Sequence, residues 1–171
     1  MTKDQLLPEE FNSYNKIYID KVGDKSLLNA LEDGKVETIR FFETIPESKL
    51  EYAYAEGKWT PKELLLHLID ADRVFCIRAL FFARTENANL SGFDENVFAE
   101  NSNANSRSIT NLIEEYKVVR NSTIALFESL SVDILKNTGK ASGSVLSARA
   151  AGFIICGHEI HHVQVIQERY L

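Results

Sequence analysis

Helix-breaking residues are scarce in this chain, and strand signals are scarcer. Only 3 prolines and 8 glycines occur in 171 residues, and most lie between long stretches of helical period. The best period-two alternation, Tyr52-Ala53-Tyr54, is too brief to carry a sheet. No run of eighteen apolar residues exists, so no membrane-spanning helix is expected. No Lys/Arg cluster stands out against a net charge of -6, which argues against nucleic acid as a partner. The polar start, Met1-Thr2-Lys3-Asp4-Gln5, is followed by no apolar signal stretch, and a cytoplasmic location is expected. The 2 cysteines, Cys76 and Cys156, sit in apolar surroundings and read as buried free thiols of a reduced compartment.

What is abundant is helical pattern. A chain of this length is most simply one domain, residues 1–171, able to bury roughly 70% of its unfolded surface. Four long helices are predicted. The first runs from Lys25 to Thr44, with Leu27, Leu28, Leu31, Ile39 and Phe42 inward and Pro46 beyond its end. A short turn of helix over Phe11–Ile19 precedes it. The second starts at Thr60, where Thr60, Pro61 and Glu63 form a capping box with proline at the first helical position, and runs to Arg84. The third spans Ser108 to Leu130, and the fourth Ser147 to Tyr170. Two long connections remain, Thr85–Arg107 and Ser131–Val145. The first is rich in Asn and Ser, with Phe93, Val97 and Phe98 spaced through it, as in a segment packed over a site. The expected architecture is an all-α four-helix bundle, a fold that builds metal sites from side chains on facing helices.

The chain has 4 histidines, and three fall in His158-Glu159-Ile160-His161-His162. His158 and His162 are four apart and project from one helical face, in line with Ala151, Ile154 and Val165. His161 falls at the edge of that stripe, at a helix boundary or facing solvent. His67 lies on the inward stripe of the second helix with Ala71, Val74, Arg78 and Phe81. Three imidazoles directed into one interior are costly as cations, whereas a metal takes them neutral. His67, His158 and His162 are therefore the candidate metal ligands, with coordination positions left open. Cys156 points about 200° away from His158 around the helix and is not expected to join them.

Other polar residues admit two readings each. Arg78 and Arg169 project inward, either snorkelling or paired with a carboxylate, or else clamping a substrate anion. Asp70 either orients a ligand imidazole or faces Arg73 at the surface, and the surface reading is preferred. The segment from His158 to His162 also fits H-E-x-x-H, in which the Glu serves metalloproteases as general base. Against a protease stand the position of the motif, 9 residues before Leu171, the lack of a strand to hold a peptide, and the upstream place of His67. No Gly-rich phosphate loop, Ser-His-Asp order or flavin motif is present.

Two segments carry a family resemblance. Trp59-Thr60-Pro61-Lys62-Glu63-Leu64-Leu65-Leu66-His67-Leu68-Ile69-Asp70 resembles the second-helix motif of the DinB/YfiT-like superfamily. Gly157-His158-Glu159-Ile160-His161-His162-Val163-Gln164-Val165-Ile166 resembles its last-helix motif. Arg73, Arg78, Gly92-Phe93-Asp94, Arg107 and Arg120 are similar to one bacterial branch of that family. The resemblance implies a four-helix bundle holding a divalent metal, often zinc or nickel, through three histidines. Carried onto this chain those are His67, His158 and His162. It further implies thiol-dependent transfer with a low-molecular-weight thiol, or maleylpyruvate-type isomerisation, on a small-molecule substrate, and often a homodimer. The family name refers to DNA damage and implies no contact with DNA. Two expectations follow: a metal-dependent enzyme, in the form of a thiol-dependent S-transferase acting on small molecules, or a non-catalytic, stress-related bundle whose metal staples two helices together.

Overall fold

Each long helix begins where a hydroxyl side chain replaces the missing intrahelical acceptor for its first amides. In the computed structural model, which describes residues 1–171, α1 spans Ser13–Ile19, α2 Leu27–Thr44, α3 Glu47–Leu50 and α4 Pro61–Arg84. After these, α5 spans Glu95–Glu100, α6 Ile109–Ser129 and α7 Ala148–Arg169. Ser26, Thr60, Ser108 and Ser147 cap α2, α4, α6 and α7 through their hydroxyl oxygens. At α4 the expected capping box is complete: the Glu63 amide donates to Thr60 Oγ1 at 3.2 Å, and the Thr60 amide donates to Glu63 Oε2 at 2.7 Å. The four long helices start and end within two residues of the positions expected from pattern.

The bundle is arranged around α7. Helices α4 and α2 flank it, α6 packs against both of them, and α1 lies along its outer side. Every residue of α7 from Ala148 to Glu159 is buried, so this half of the helix has no solvent face. Small residues make the close approach possible. A Cβ at Gly157 would lie 1.8 Å from the Tyr18 carbonyl oxygen, so α1 can dock there only against glycine. No helix is long and apolar enough to cross a membrane.

Several expectations fail in detail. Leu28 and Phe81 are exposed, and Phe82, one residue on, is the buried aromatic of α4. Arg169 is exposed rather than inward, and Ile166 fills the core there. Cys156 is buried and free as expected, whereas Cys76 is only half-buried. The connections also hold more structure than pattern showed. Strands β1 (Asn89–Leu90), β2 (Thr138–Ala141) and β3 (Ser144–Ser147) form a small sheet, with β1 parallel and β3 antiparallel to β2. The two-residue turn is Ser142-Gly143, both at positive φ, which suits the right-handed twist of a tight hairpin. A Cβ at Gly139 would meet the Phe82 ring at 2.2 Å, so glycine lets β2 lie flat on α4.

The apolar interior falls into two clusters, one around the first half of α7 and one around its end. A buried polar band crosses all four long helices between them. Arg120 of α6 donates through Nε to Asp72 of α4 at 2.7 Å, and its Nη2 is 2.8 Å from Glu159 of α7. Glu159 also accepts from the Tyr116 hydroxyl at 2.6 Å, and Thr123 donates to Asp72 at 2.5 Å. Gly34 on α2 leaves the room: a Cβ there would lie 1.9 Å from Glu159 Oε1. Removing the guanidinium strands two carboxylates away from water. Arg120→Leu is expected to lower unfolding free energy by about 3–5 kcal/mol in urea titration. A loss under 1 kcal/mol would mean that the band is open to solvent or that a carboxyl there takes up a proton with little penalty.

Candidate metal centre

On α7, the residue after an inward histidine turns about 100° around the axis. That geometry separates the two halves of the H-E-x-x-H segment. Glu159 turns into the polar band, where Arg120, Tyr116 and Thr38 occupy its carboxylate. Burial pushes the Glu159 carboxyl up, opposed by the Arg120 charge. It is therefore not a general base at the histidines, and the protease reading falls with it. His158 and His162 turn instead toward α4, where His67 meets them.

The three rings converge on their Nε2 atoms. His67 Nε2 lies 3.1 Å from His158 Nε2, and His162 Nε2 lies 3.0 Å from the same atom. One donor nitrogen from each of the three lies within 4.8 Å of the others. A neutral imidazole nitrogen either donates one proton or accepts along one lone pair. One His158 nitrogen cannot satisfy two such neighbours with good geometry, so protons alone leave the cluster frustrated. A cation among the three nitrogens would take all three lone pairs. Ligand nitrogens on a metal at about 2.0–2.1 Å sit roughly 3 Å apart, close to the two short spacings found here.

Electrostatics favour the form that binds metal. Burial lowers the His67 pKa to about 4 and that of His162 to about 3, the latter helped by neighbouring histidines. His158 is pushed down by burial and then by its histidine neighbours. All three are neutral near pH 7 without any carboxylate partner. The surroundings hold the rings in place. Trp59 lies against His67 with centroids 4.8 Å apart, and Tyr18 meets His158 edge-on at 5.2 Å. His162 Nδ1 is buried with no partner, so the ring is oriented by packing rather than by an acceptor behind it. His161 stays outside the cluster, edge-on to Tyr18 at 5.5 Å, as its stripe position implied.

Two cavities reach the cluster from different sides. One, of 260 Å³, is lined by Trp59, Tyr54, Tyr170, His161 and His162. The other, of 290 Å³, runs from His158 past Ile154 and Phe75 to Arg78 and Ser142. The start of α5 lines both, with Asn96 on the first and Glu95 on the second. Arg78 is buried as expected, but it pairs with no carboxylate, and its Nη2 donates to Ser142 Oγ at 2.9 Å. Asp70 pairs with Arg73 at 3.1 Å at the surface and does not touch His67. Cys156 lies outside the cluster, with burial raising its thiol pKa. The polar band and the hairpin serine escaped the sequence reading. A glycine in the middle of α2, at Gly34, was the one local signal for the band.

Known proteins place this arrangement in a family. The chain is similar in structure to YfiT from Bacillus subtilis, described as a probable metal-dependent hydrolase with an unusual four-helix bundle topology. That match has TM-score 0.74 at 20% identity and covers 95% of this chain and 90% of that one. A mycothiol-dependent maleylpyruvate isomerase matches with TM-score 0.66 at 14% identity. The alignment takes in 99% of this chain but only 63% of the isomerase. A DinB-like protein of Bacillus subtilis, YjoA, matches with TM-score 0.60 at 19% identity over 84% of this chain and 88% of that one. A comparison with curated protein sequences finds no match. The sequence profile of the DinB superfamily matches residues 30–166, a span that holds all three converging histidines, and the chain belongs to that superfamily.

Proposed function

We propose that this chain is a metal-dependent enzyme acting on a small molecule, with His67, His158 and His162 holding one divalent ion and a low-molecular-weight thiol as cosubstrate. The observation that carries the reading is the cluster itself: three neutral nitrogens that no arrangement of protons satisfies, reached by two cavities. Nitrogen donors without carboxylate or thiolate suit zinc or nickel. When bound, such an ion supplies Lewis acidity and lowers the proton affinity of a thiol or water at its open positions. The chain's own residues do the rest. Trp59 and Tyr18 hold the imidazoles and keep bulk water from their faces. The two cavities give separate approaches, which suits a transfer between two small molecules. The metal dependence ascribed to YfiT and the thiol dependence of the isomerase support this reading. The alternative, a metal that only staples α4 to α7, predicts no role for open cavities at the ligands.

Metal content separates these cases when measured on untagged protein by elemental mass spectrometry. The wild type is expected to carry about one zinc or nickel per chain, and His67→Ala to lose it. Metal-loaded protein should then consume a small thiol with an electrophilic acceptor, and metal-stripped protein should not. Wild-type protein that binds no metal after reconstitution would remove the basis of the enzyme reading. Equal stability with and without metal, together with lost turnover, would remove the staple.

The metal-stripped protein has a pH signature of its own. In the unfolded chain histidine titrates near 6.5, whereas the folded chain holds His67 to about 4 and His162 to about 3. Between these values the unfolded state binds more protons, so stability must fall as pH falls from about 6.5 toward 4. The Tm of chelator-treated wild type is expected to drop across that window, and His162→Gln to drop less. Parallel curves for the two proteins would show that His162 is not held neutral by burial.

A further inference from the structure

The cavity that ends at Arg78 has a polarity that the metal site does not explain. Arg78 is 6% exposed, yet it has no acidic partner. Burial is the only influence on its pKa, and it acts to lower it. Its one hydrogen bond goes to Ser142 Oγ, so its other N–H donors are left facing the cavity. The Phe75 ring, 4.9 Å from the guanidinium carbon, and the Phe93 ring at 5.8 Å stack against it but offer no acceptor lone pair in its plane. The other buried arginines differ. Arg120 meets Asp72 and Glu159, and Arg149 meets Glu10.

The hairpin places Ser142 there deliberately. Ser142 sits at the tip of the β2–β3 turn at φ 51°, and Gly92 lets the preceding connection pass close against its hydroxyl. Phe75, Phe93, Leu146 and Ile154 give the lining an apolar stretch, and Asn12, Asn15 and Ser144 add neutral polar groups. The lining also includes Glu95 at the start of α5, an exposed carboxylate that makes no ion pair with Arg78. His67 and Arg78 are eleven residues apart on α4, roughly 16 Å of helix rise, and because both side chains lean toward the helix N-terminus that offset is largely kept between them.

We propose that this cavity binds a small carboxylate-bearing substrate, its carboxylate on Arg78 and Ser142 and its reacting atom at the histidine cluster. The reacting end rests on the metal-enzyme reading, and the carboxylate end does not. A single guanidinium beside a neutral hydroxyl matches a monoanion that accepts two parallel N–H bonds. A phosphate dianion would call for more positive charge. After a hydrogen bond of about 3 Å at Arg78 and about 2 Å from ion to donor atom, the length left for the ligand is on the order of 10 Å, bridged by an apolar chain or ring.

The test uses octanoate, octanamide and mercaptooctanoate in calorimetric titrations of metal-free and zinc-loaded protein, for wild type, Arg78→Met and Ser142→Ala. Metal-free wild type is expected to bind octanoate and to reject the uncharged amide. Arg78→Met should lose roughly 10–100-fold in octanoate affinity, the scale of a charge-assisted hydrogen bond. Ser142→Ala should lose less. Arg78→Met should also keep or raise the Tm, because it removes an unpaired buried charge. Zinc should strengthen mercaptooctanoate over octanoate, and mercaptoacetate, too short to span, should gain nothing from Arg78. Equal affinity of wild type and a folded Arg78→Met for octanoate would overturn the proposal, as would equal binding of acid and amide. Carboxylate selectivity with no gain from zinc would leave the Arg78 site standing and sink the metal-enzyme reading instead.

Discussion

Burying half of α7 on every side is the constraint from which the rest follows. A helix without a solvent face must have each of its polar side chains compensated from another element. Arg149 takes Glu10 from the N-terminal segment, which ties that segment across the bundle. Glu159 takes Arg120 from α6, and Arg120 in turn draws in Asp72 from α4. His158 is the exception. Its neighbours are two more imidazoles, which have the same needs as itself. Each charged group of the buried half of this helix thus has a counterion, and three neutral nitrogens are left facing one another. That is the arrangement a cation completes.

The same constraint explains how the polar band and the histidine cluster coexist. They are adjacent on α7 yet point in different directions, because one residue of helix is about 100° of rotation. Two apolar clusters, one at each end, hold the band between them and fix the rotation of every long helix. A slip of α4 by one residue would take both Asp72 from Arg120 and His67 from His158. The buried ion pairs therefore matter for register more than for net stability, since an ion pair removed from water gains little over apolar packing. Register is what a site built from two helices needs.

Much of this was legible in the residues. The four long helices declared themselves by apolar period and by Ser or Thr caps, because both signals are local. The histidine geometry followed from the spacing of His158 and His162 and from the place of His67 on an apolar face. The direction of Glu159 was open from sequence, since H-E-x-x-H fits a base as readily as a structural carboxylate. Only Arg120, far away in the chain, decides it. The sheet was missed for a different reason. Thr138–Ala141 and Ser144–Ser147 are short, and they are held by pairing with each other and with Asn89-Leu90 rather than by intrinsic preference. Phe81 and Phe82 are neighbours on one helix, and a stripe drawn through His67 picked the wrong one because α4 faces both α6 and α7.

The small sheet gives the long connections a purpose that a plain bundle would lack. β1 anchors the segment carrying Phe93 and α5, and the hairpin carries Ser142 to Arg78. Both elements meet over the cavity that starts at His158. The bundle supplies the three histidines from rigid helices, where position is exact to the packing of the core, and the connections supply walls of the cavity beside them. Such a division lets one bundle carry different sites as the connections change, and the fold is shared with proteins described as a probable hydrolase and an isomerase. On the proposed function, specificity in this chain resides less in the histidines than in Arg78, Ser142 and the other residues of that cavity, where charge and length would be read.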